Sequence, residues 1–96
     1  MKTYFISRHQ GAIDWIKCQE VKIDHFIDHL NIDMIKRDDI VIGTLPIHLA
    51  AQVCEKGAKF YFLSVNVTKA QRGQELTAEQ LKAQACQLQQ FYIQKI

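Results

Sequence analysis

Three short, uninterrupted runs of apolar residues constrain the fold of this chain most strongly. They are Tyr4-Phe5-Ile6, Ile40-Val41-Ile42 and Phe60-Tyr61-Phe62-Leu63. Strands that are apolar on both faces are typical of a parallel sheet covered by helices, since an antiparallel sheet often leaves one face in water. Each run is also far shorter than the ~20 residues that a membrane-spanning helix needs. We therefore predict buried strands within residues 3–7, 39–44 and 59–67, and no membrane association.

Amphipathic segments lie between these strands. A first helix is predicted from Gln10 to about Cys18. A second opens at Pro46, whose fixed φ suits the first turn of a helix, and ends at Gly57, a residue type that favours helix C-termini. The apolar residues of this second helix recur at helical spacing, at Ile47, Ala50, Ala51 and Cys54.

The remaining segments complete a βαβ pattern. Residues 21–26 alternate in polarity and are predicted as a further strand, and residues 29–37 as a loop or a single turn. Thr77 and Gln80 form a capping box for a last helix. Its apolar stripe is predicted to continue to the C-terminus through Leu81, Ala85, Leu88 and Tyr92. The 96 residues are thus predicted to form one small Rossmann-like α/β domain, residues 1–96, with a mostly parallel sheet of about four strands flanked by helices.

Composition excludes several classes of protein. Twelve Lys and Arg against ten Asp and Glu give a net charge of +2, too balanced for a protein that binds long nucleic acid through a basic stripe. Cys18, Cys54 and Cys86 are odd in number and contain no CxxC pair, which argues against a disulfide framework and a zinc ribbon and fits a reducing compartment. Arg8 comes too early for the core of a signal peptide. We therefore expect a cytoplasmic protein.

Polar and small residues follow each predicted strand, where an open parallel sheet binds its ligands. Two arginines, a histidine and two helix N-termini would meet at that edge, an arrangement that suits phosphate. The candidate residues are Ser7, Arg8, His9 and Gly11 after the first strand, Gly43 and Thr44 at the end of the second, and Asn66 and Arg72 after the third.

Other interpretations of these residues stay open. Arg8 is consistent with a solvated surface residue, His9 with a helix cap, Gly43-Thr44 with a tight turn, and Arg72-Gly73 with a solvated loop. The chain lacks both the GxGxxG and the GxxxxGK[ST] patterns, which argues against a dinucleotide cofactor and a P-loop.

One possible metal pair occurs in the sequence. His25 and His29 are four residues apart, with Asp24 and Asp28 beside them. The segment is not convincingly helical and no further ligand cluster accompanies it, so we predict neither a metal site nor a cofactor.

Three separated blocks of the sequence resemble a known family, the small stand-alone CRISPR-associated proteins encoded beside type III systems. The blocks are Ser7-Arg8-His9 with Gly11-Ala12 and Trp15, Gly43-Thr44-Leu45-Pro46 with Leu49-Ala50-Ala51, and Arg72-Gly73-Gln74-Glu75-Leu76. The resemblance implies a compact Rossmann-like fold and a ring nuclease, an enzyme that degrades cyclic oligoadenylate, usually cyclic tetra-adenylate, and so switches off immune signalling. It also implies a homodimer with the ligand on its two-fold axis and a metal-independent phosphodiesterase reaction.

That resemblance gives each candidate residue an expected role. Arg8 and Arg72 would bind the scissile phosphate, and His9 would act as the acid, the base or a positioning group. Ser7, Thr44, Asn66, the Gly43 backbone and the amides near Gly11 would hold phosphate or ribose. Two alternatives use no cleavage: a sponge that sequesters the cyclic nucleotide through the same edge, and an adaptor that docks on another CRISPR component.

Overall fold

A five-stranded mixed sheet forms the centre of the computed structural model, which describes residues 1–64, 77–79 and 87–96. In spatial order the strands run β2-β1-β3-β4-β5. The first three neighbouring pairs in this order are parallel, and β4 and β5 are antiparallel. The strands are β1 (Thr3–Ile6), β2 (His25–Ile27), β3 (Ile40–Gly43), β4 (Lys59–Ser64) and β5 (Gln87–Phe91).

Two α-helices cover opposite faces of this sheet. Helix α1 (Gln10–Lys17) packs Trp15 and Ile16 against one face, in a cluster that contains Phe5. Helix α2 (Ile47–Glu55) packs Val53 against the other face, in a cluster that contains Tyr4. Because neighbouring residues of one strand point to opposite faces, consecutive apolar residues of the central strands pack alternately into the two clusters. The uninterrupted apolar runs therefore predicted the three central strands correctly.

The end of α2 follows the pattern expected from its glycine. Gly57 adopts a left-handed φ of 80°. Its N–H donates to the Cys54 carbonyl at 3.0 Å, and the Ala58 N–H donates to the Val53 carbonyl at 3.3 Å. These two bonds form a Schellman motif, which satisfies carbonyls that the helix end leaves without partners. The predicted end of this helix is confirmed.

The second predicted strand lies a few residues too early. It was expected over residues 21–26, whereas β2 spans His25–Ile27, and the predicted turn after it contains the short 3-10 helix Ile32–Met34. β2 is a sheet-edge strand, and His25 and Phe26 are exposed. Since burial on one face is what produces a regular alternation of polarity, this edge strand leaves only a weak signal in the sequence.

The prediction of one helix continuing to the C-terminus is wrong. Ala78 and Glu79 are helical, but Leu88 lies in β5 and Tyr92 follows it. Leu88 packs in the same cluster as α1, and Phe91 makes an edge-to-face contact with Phe62. Pairing with β4 thus overrides the local helical pattern, and it adds an antiparallel fifth strand to the parallel sheet of about four strands that the sequence predicted. Gln80, Leu81 and Ala85 lie outside the described residues.

Asp24 joins the beginning of β2 to β1. Its carboxylate accepts a hydrogen bond from the Thr3 N–H at 2.8 Å, and its own N–H donates to the Thr3 carbonyl at 2.9 Å. The bond from Thr3, reinforced by the charges of Lys22 and Lys2, lowers the pKa of the Asp24 carboxyl below its ordinary 3.8. The ionised carboxylate therefore stabilises the fold above about pH 4, and this contribution is lost as the pH falls through the folded-state pKa.

We expect Asp24→Asn to unfold at lower urea concentration than the unchanged protein near pH 7. The difference should shrink as the pH falls from about 4 towards 2, where Asp24 is itself protonated. Urea titrations at three pH values measure this. Asp33→Asn, at an exposed carboxylate in the 3-10 helix, removes the same charge and serves as the control. A difference for Asp24→Asn that is independent of pH would contradict the assignment.

Among the described residues, no helix is long and apolar enough to cross a membrane.

Candidate functional site

The strand order reverses between β1 and β3, and we call the space beyond the carboxyl ends of these two parallel strands the crevice. After β1 the chain passes through α1 on one face and returns as β2 on one side of β1. After β3 it passes through α2 on the other face and returns as β4 on the opposite side. The loops that follow β1 and β3 therefore diverge, which is the arrangement that forms ligand sites in open α/β sheets.

The loop after β1 forms one wall of this crevice. The Ser7 N–H donates to the Ile27 carbonyl at 3.0 Å, so the chain stays beside β2 for one residue beyond β1. The Ser7 hydroxyl oxygen then accepts from the His9 N–H at 3.1 Å, and the His9 carbonyl accepts from the Ala12 and Ile13 N–H groups that begin α1. Between these fixed points, the side chains of Arg8 and His9 are exposed.

The loop after β3 forms the opposite wall. Gly43, the last residue of β3, is paired in register with Ile6. The Thr44 hydroxyl donates to the Leu63 carbonyl at 3.3 Å, which holds this loop against β4. The Pro46 carbonyl accepts from the N–H groups of residues 49 and 50 and begins α2. The predicted residues Gly43 and Thr44 thus lie across the crevice from Ser7 and Arg8.

The electrostatics of the crevice favour an anion. The N-cap side chain makes no capping hydrogen bond in either α1 or α2, and both helices begin at this edge. Helix N-termini carry partial positive charge, and the Arg8 guanidinium adds a full charge with a planar set of donors. A phosphate group is the ligand chemistry that matches these donors.

Six of the eight predicted site residues come together at this edge. Asn66 and Arg72 lie outside the described residues, so their place in the site stays a prediction. The six residues brought together are Ser7, Arg8, His9, Gly11, Gly43 and Thr44.

The possible metal pair of the sequence is separated in space. His25 is the first residue of β2 and stacks on Tyr4, with 5.2 Å between ring centroids. His29 lies two residues beyond the other end of that strand, whose extended backbone rises ~3.3 Å per residue and carries the chain away from His25. Across the part of the chain that the structure describes, no three His, Cys, Asp or Glu residues are grouped to hold a metal ion.

Sequence reasoning missed three polar residues at this edge. Asp28 and His29 follow β2, and the exposed His48 is the second residue of α2. The position of His48 could be read from the sequence, because it lies in the first turn of the helix predicted to open at Pro46. The positions of Asp28 and His29 depend on where β2 ends, which the sequence pattern did not show.

A protein-family model matches nearly the whole chain. The family model described as "Putative CRISPR-associated protein (Cas_VVA1548)" matches residues 4–94, from β1 to beyond β5. The chain belongs to the Cas_VVA1548 family. No curated protein and no solved structure matches it. The matched range contains both walls of the crevice, so the candidate site lies within the part of the chain that defines a Cas_VVA1548 protein.

Gly43 lets the two central strands of this Cas_VVA1548 protein approach closely at the crevice. A Cβ atom at this position would lie 2.6 Å from the Ile6 carbonyl oxygen and 3.2 Å from the Ile6 Cβ. The first of these atoms belongs to the backbone, so a side chain at residue 43 forces β1 and β3 apart where Arg8 begins its loop.

We expect Gly43→Ala to lower the free energy of unfolding by roughly 1–3 kcal/mol, the usual cost of overpacking. It should also weaken binding of any ligand in the crevice. Urea denaturation measures the first effect and ligand titration the second. An alanine variant as stable as the unchanged protein would show that the two strands separate without cost.

Proposed function

We propose that this Cas_VVA1548 protein is a ring nuclease that binds cyclic oligoadenylate, with cyclic tetra-adenylate as the first candidate, and cleaves it to linear products. The observation that carries the proposal is the position of Arg8 and His9. Both are exposed at the carboxyl end of β1, beside the uncapped N-terminus of α1 and across from the loop that follows β3. Membership of a CRISPR-associated family supports a substrate from CRISPR immune signalling.

The substrate carries its own nucleophile, so the proposed reaction needs no metal ion or cofactor. The ribose 2′-OH attacks the adjacent phosphorus in line, so the O2′–P bond forms as the P–O5′ bond breaks. The products end in a 2′,3′-cyclic phosphate and a 5′-OH. The proton lost by O2′ passes to a base, and O5′ gains a proton from an acid. The protein supplies orientation, charge stabilisation and these two proton transfers.

The described residues divide these tasks among themselves. Arg8 stabilises the negative charge that develops on the non-bridging phosphate oxygens, because its fork of N–H donors fits two oxygens at once. His9 carries a proton to or from the ribose oxygens. The first-turn amides near Gly11, together with Thr44 and the Gly43 backbone, bind phosphate or ribose. Arg72 and Asn66 are proposed as further contacts to the phosphate and the ligand.

The proposal also includes a second copy of the chain, as a symmetric dimer. A ring of four identical nucleotides has approximate two-fold symmetry, and a symmetric dimer presents the same small site twice across its axis. One Arg8 from each copy then reaches one of two equivalent phosphates. The proposed protein is a homodimer of Rossmann-like subunits that acts in the cytoplasm.

Turnover with excess ligand separates this proposal from its alternatives. Purified protein is mixed with about a tenfold excess of cyclic tetra-adenylate in EDTA, and intact and linear forms are quantified over time. Conversion of more than one equivalent per site supports the ring nuclease. Tight retention of one equivalent of intact ring indicates a sponge. Neither binding nor conversion, with this ring and with rings of three and six adenylates, refutes both and leaves the adaptor.

A further inference from the structure

The end of β2 lies beside the loop that carries Arg8 and His9. β2 is parallel to β1, and Ile27 is paired in register with Ile6. The hydrogen bond from the Ser7 N–H to the Ile27 carbonyl, at 3.0 Å, completes this last pair of the two strands. The end of β2 therefore lies next to the crevice between β1 and β3, on the β1 side.

Asp28 and His29 are the first two residues after β2, and Ser7 and Arg8 are the first two residues after β1. Because adjacent strands are ~4.8 Å apart, the two loops begin side by side at the carboxyl edge of the sheet. Asp28, His29, Arg8 and His9 are all exposed. The loop after β2 thus brings an imidazole to the same edge of the sheet as Arg8 and His9.

The proposed reaction requires two proton transfers at opposite sides of one phosphorus, since the entering and leaving oxygens are in line. A single imidazole cannot reach both oxygens at once, so a second group that moves a proton is needed. Two histidines in the loops after neighbouring strands, with an arginine at the same edge, meet this requirement without a metal ion.

We propose that His29 is the second proton-transfer residue of the site and acts as a pair with His9. This inference rests on the proposed ring nuclease activity. One imidazole of the pair accepts the proton from O2′ as the O2′–P bond forms. The other, in its protonated form, donates a proton to O5′ as the P–O5′ bond breaks. The net change is the transfer of one proton from O2′ to O5′, and Arg8 stabilises the charge on the phosphate between them.

Three histidine variants test this assignment under single-turnover conditions, with protein in excess over cyclic tetra-adenylate. His29→Ala is expected to lower the cleavage rate at least ~100-fold, the usual contribution of a positioned acid or base. Its affinity for the ring should change less than about threefold, since the loss is confined to the transition state. His25→Ala is the matched control, because it removes an imidazole from the other end of the same strand. His48→Ala tests the remaining histidine that the described structure places at this edge.

A ring in which sulfur replaces the bridging O5′ atoms shows which imidazole is the acid. A thiolate leaves without protonation, so this substrate should restore the rate of the variant that lacks the acid, and not that of the variant that lacks the base. Rescue of either His29→Ala or His9→Ala alone supports the pair. Rescue of both or of neither overturns it, because a purely structural defect is not repaired by a better leaving group.

The failures of the two proposals are distinguishable. If the unchanged protein does not cleave any ring, the proposed function falls and this inference falls with it. If the unchanged protein cleaves and His29→Ala cleaves at the same rate, only the role of His29 is refuted. A large loss in His48→Ala, with none in His29→Ala, would assign the second proton transfer to α2 instead.

Discussion

Arg8→Ala is expected to slow cleavage of cyclic tetra-adenylate at least ~100-fold, with little change in thermal stability. The rate falls because a charged donor aimed at the developing phosphate charge is worth several kcal/mol, typically about 2.7–4 kcal/mol for one donor group. The stability stays because the Arg8 side chain is exposed at the start of a loop. Single-turnover rates and thermal melts of the same preparations measure both quantities.

Three further variants sharpen this prediction. Arg8→Lys keeps the charge but loses the planar fork of donors, so we expect it to recover only part of the rate. Arg37→Ala removes an exposed arginine just before β3, at the opposite edge of the sheet, and should leave the rate unchanged. His9→Ala should cause a loss similar to that of Arg8→Ala. Losses below tenfold in both Arg8→Ala and His9→Ala would refute the assignment of the site.

The largest expected effect on stability is at Asp39, which is buried at the amino edge of the sheet with 4% of its surface exposed. One carboxylate oxygen accepts from the Lys2 N–H at 3.0 Å, and the other accepts from the Lys36 N–H at 2.9 Å. Its backbone carbonyl also accepts from the Lys59 N–H at 2.8 Å. Asp39 therefore joins the beginnings of β1, β3 and β4.

Asp39→Ala is expected to lower the free energy of unfolding by roughly 2–4 kcal/mol, because it leaves two partly buried N–H groups without acceptors. For a domain of this size, that corresponds to a fall in Tm on the order of 10–20 °C. Asp39→Asn should lose part of this, since its amide offers one acceptor oxygen where the carboxylate offers two. Asp33→Ala, at an exposed carboxylate, is the control. A loss below about 0.5 kcal/mol in Asp39→Ala would show that water replaces both bonds.

The central strands could be predicted because consecutive residues in them are apolar. Tyr4-Phe5-Ile6 and Ile40-Val41-Ile42 are apolar on both faces, and both faces are covered, one by α1 and the other by α2. β2 and β5 were harder for the same physical reason. Both lie at the edges of the sheet, where exposed positions impose no regular pattern on the sequence. β5 also contains Gln87 and Gln89, residues that favour helices locally, and it forms a strand through pairing with distant β4.

The residues of the candidate site also differ in whether the sequence could predict them. Arg8, His9 and Thr44 were predictable because each directly follows a strand that the sequence marks strongly. His29 was not, since its position at the edge depends on the register between β2 and β1, which is a long-range property. Its spacing from His25 pointed to a metal pair on a helix, and the extended geometry of β2 separates the two imidazoles.

The chemical identity of the products is the most direct test of the proposed function. The unchanged protein and Arg8→Ala are incubated with cyclic tetra-adenylate in EDTA, and the products are resolved by mass spectrometry. We predict linear adenylates with a 2′,3′-cyclic phosphate and a 5′-OH from the unchanged protein, and at least ~100-fold less of them from the variant. An intact ring in both samples would contradict the proposed function, and equal amounts of the same products in both would contradict the proposed site.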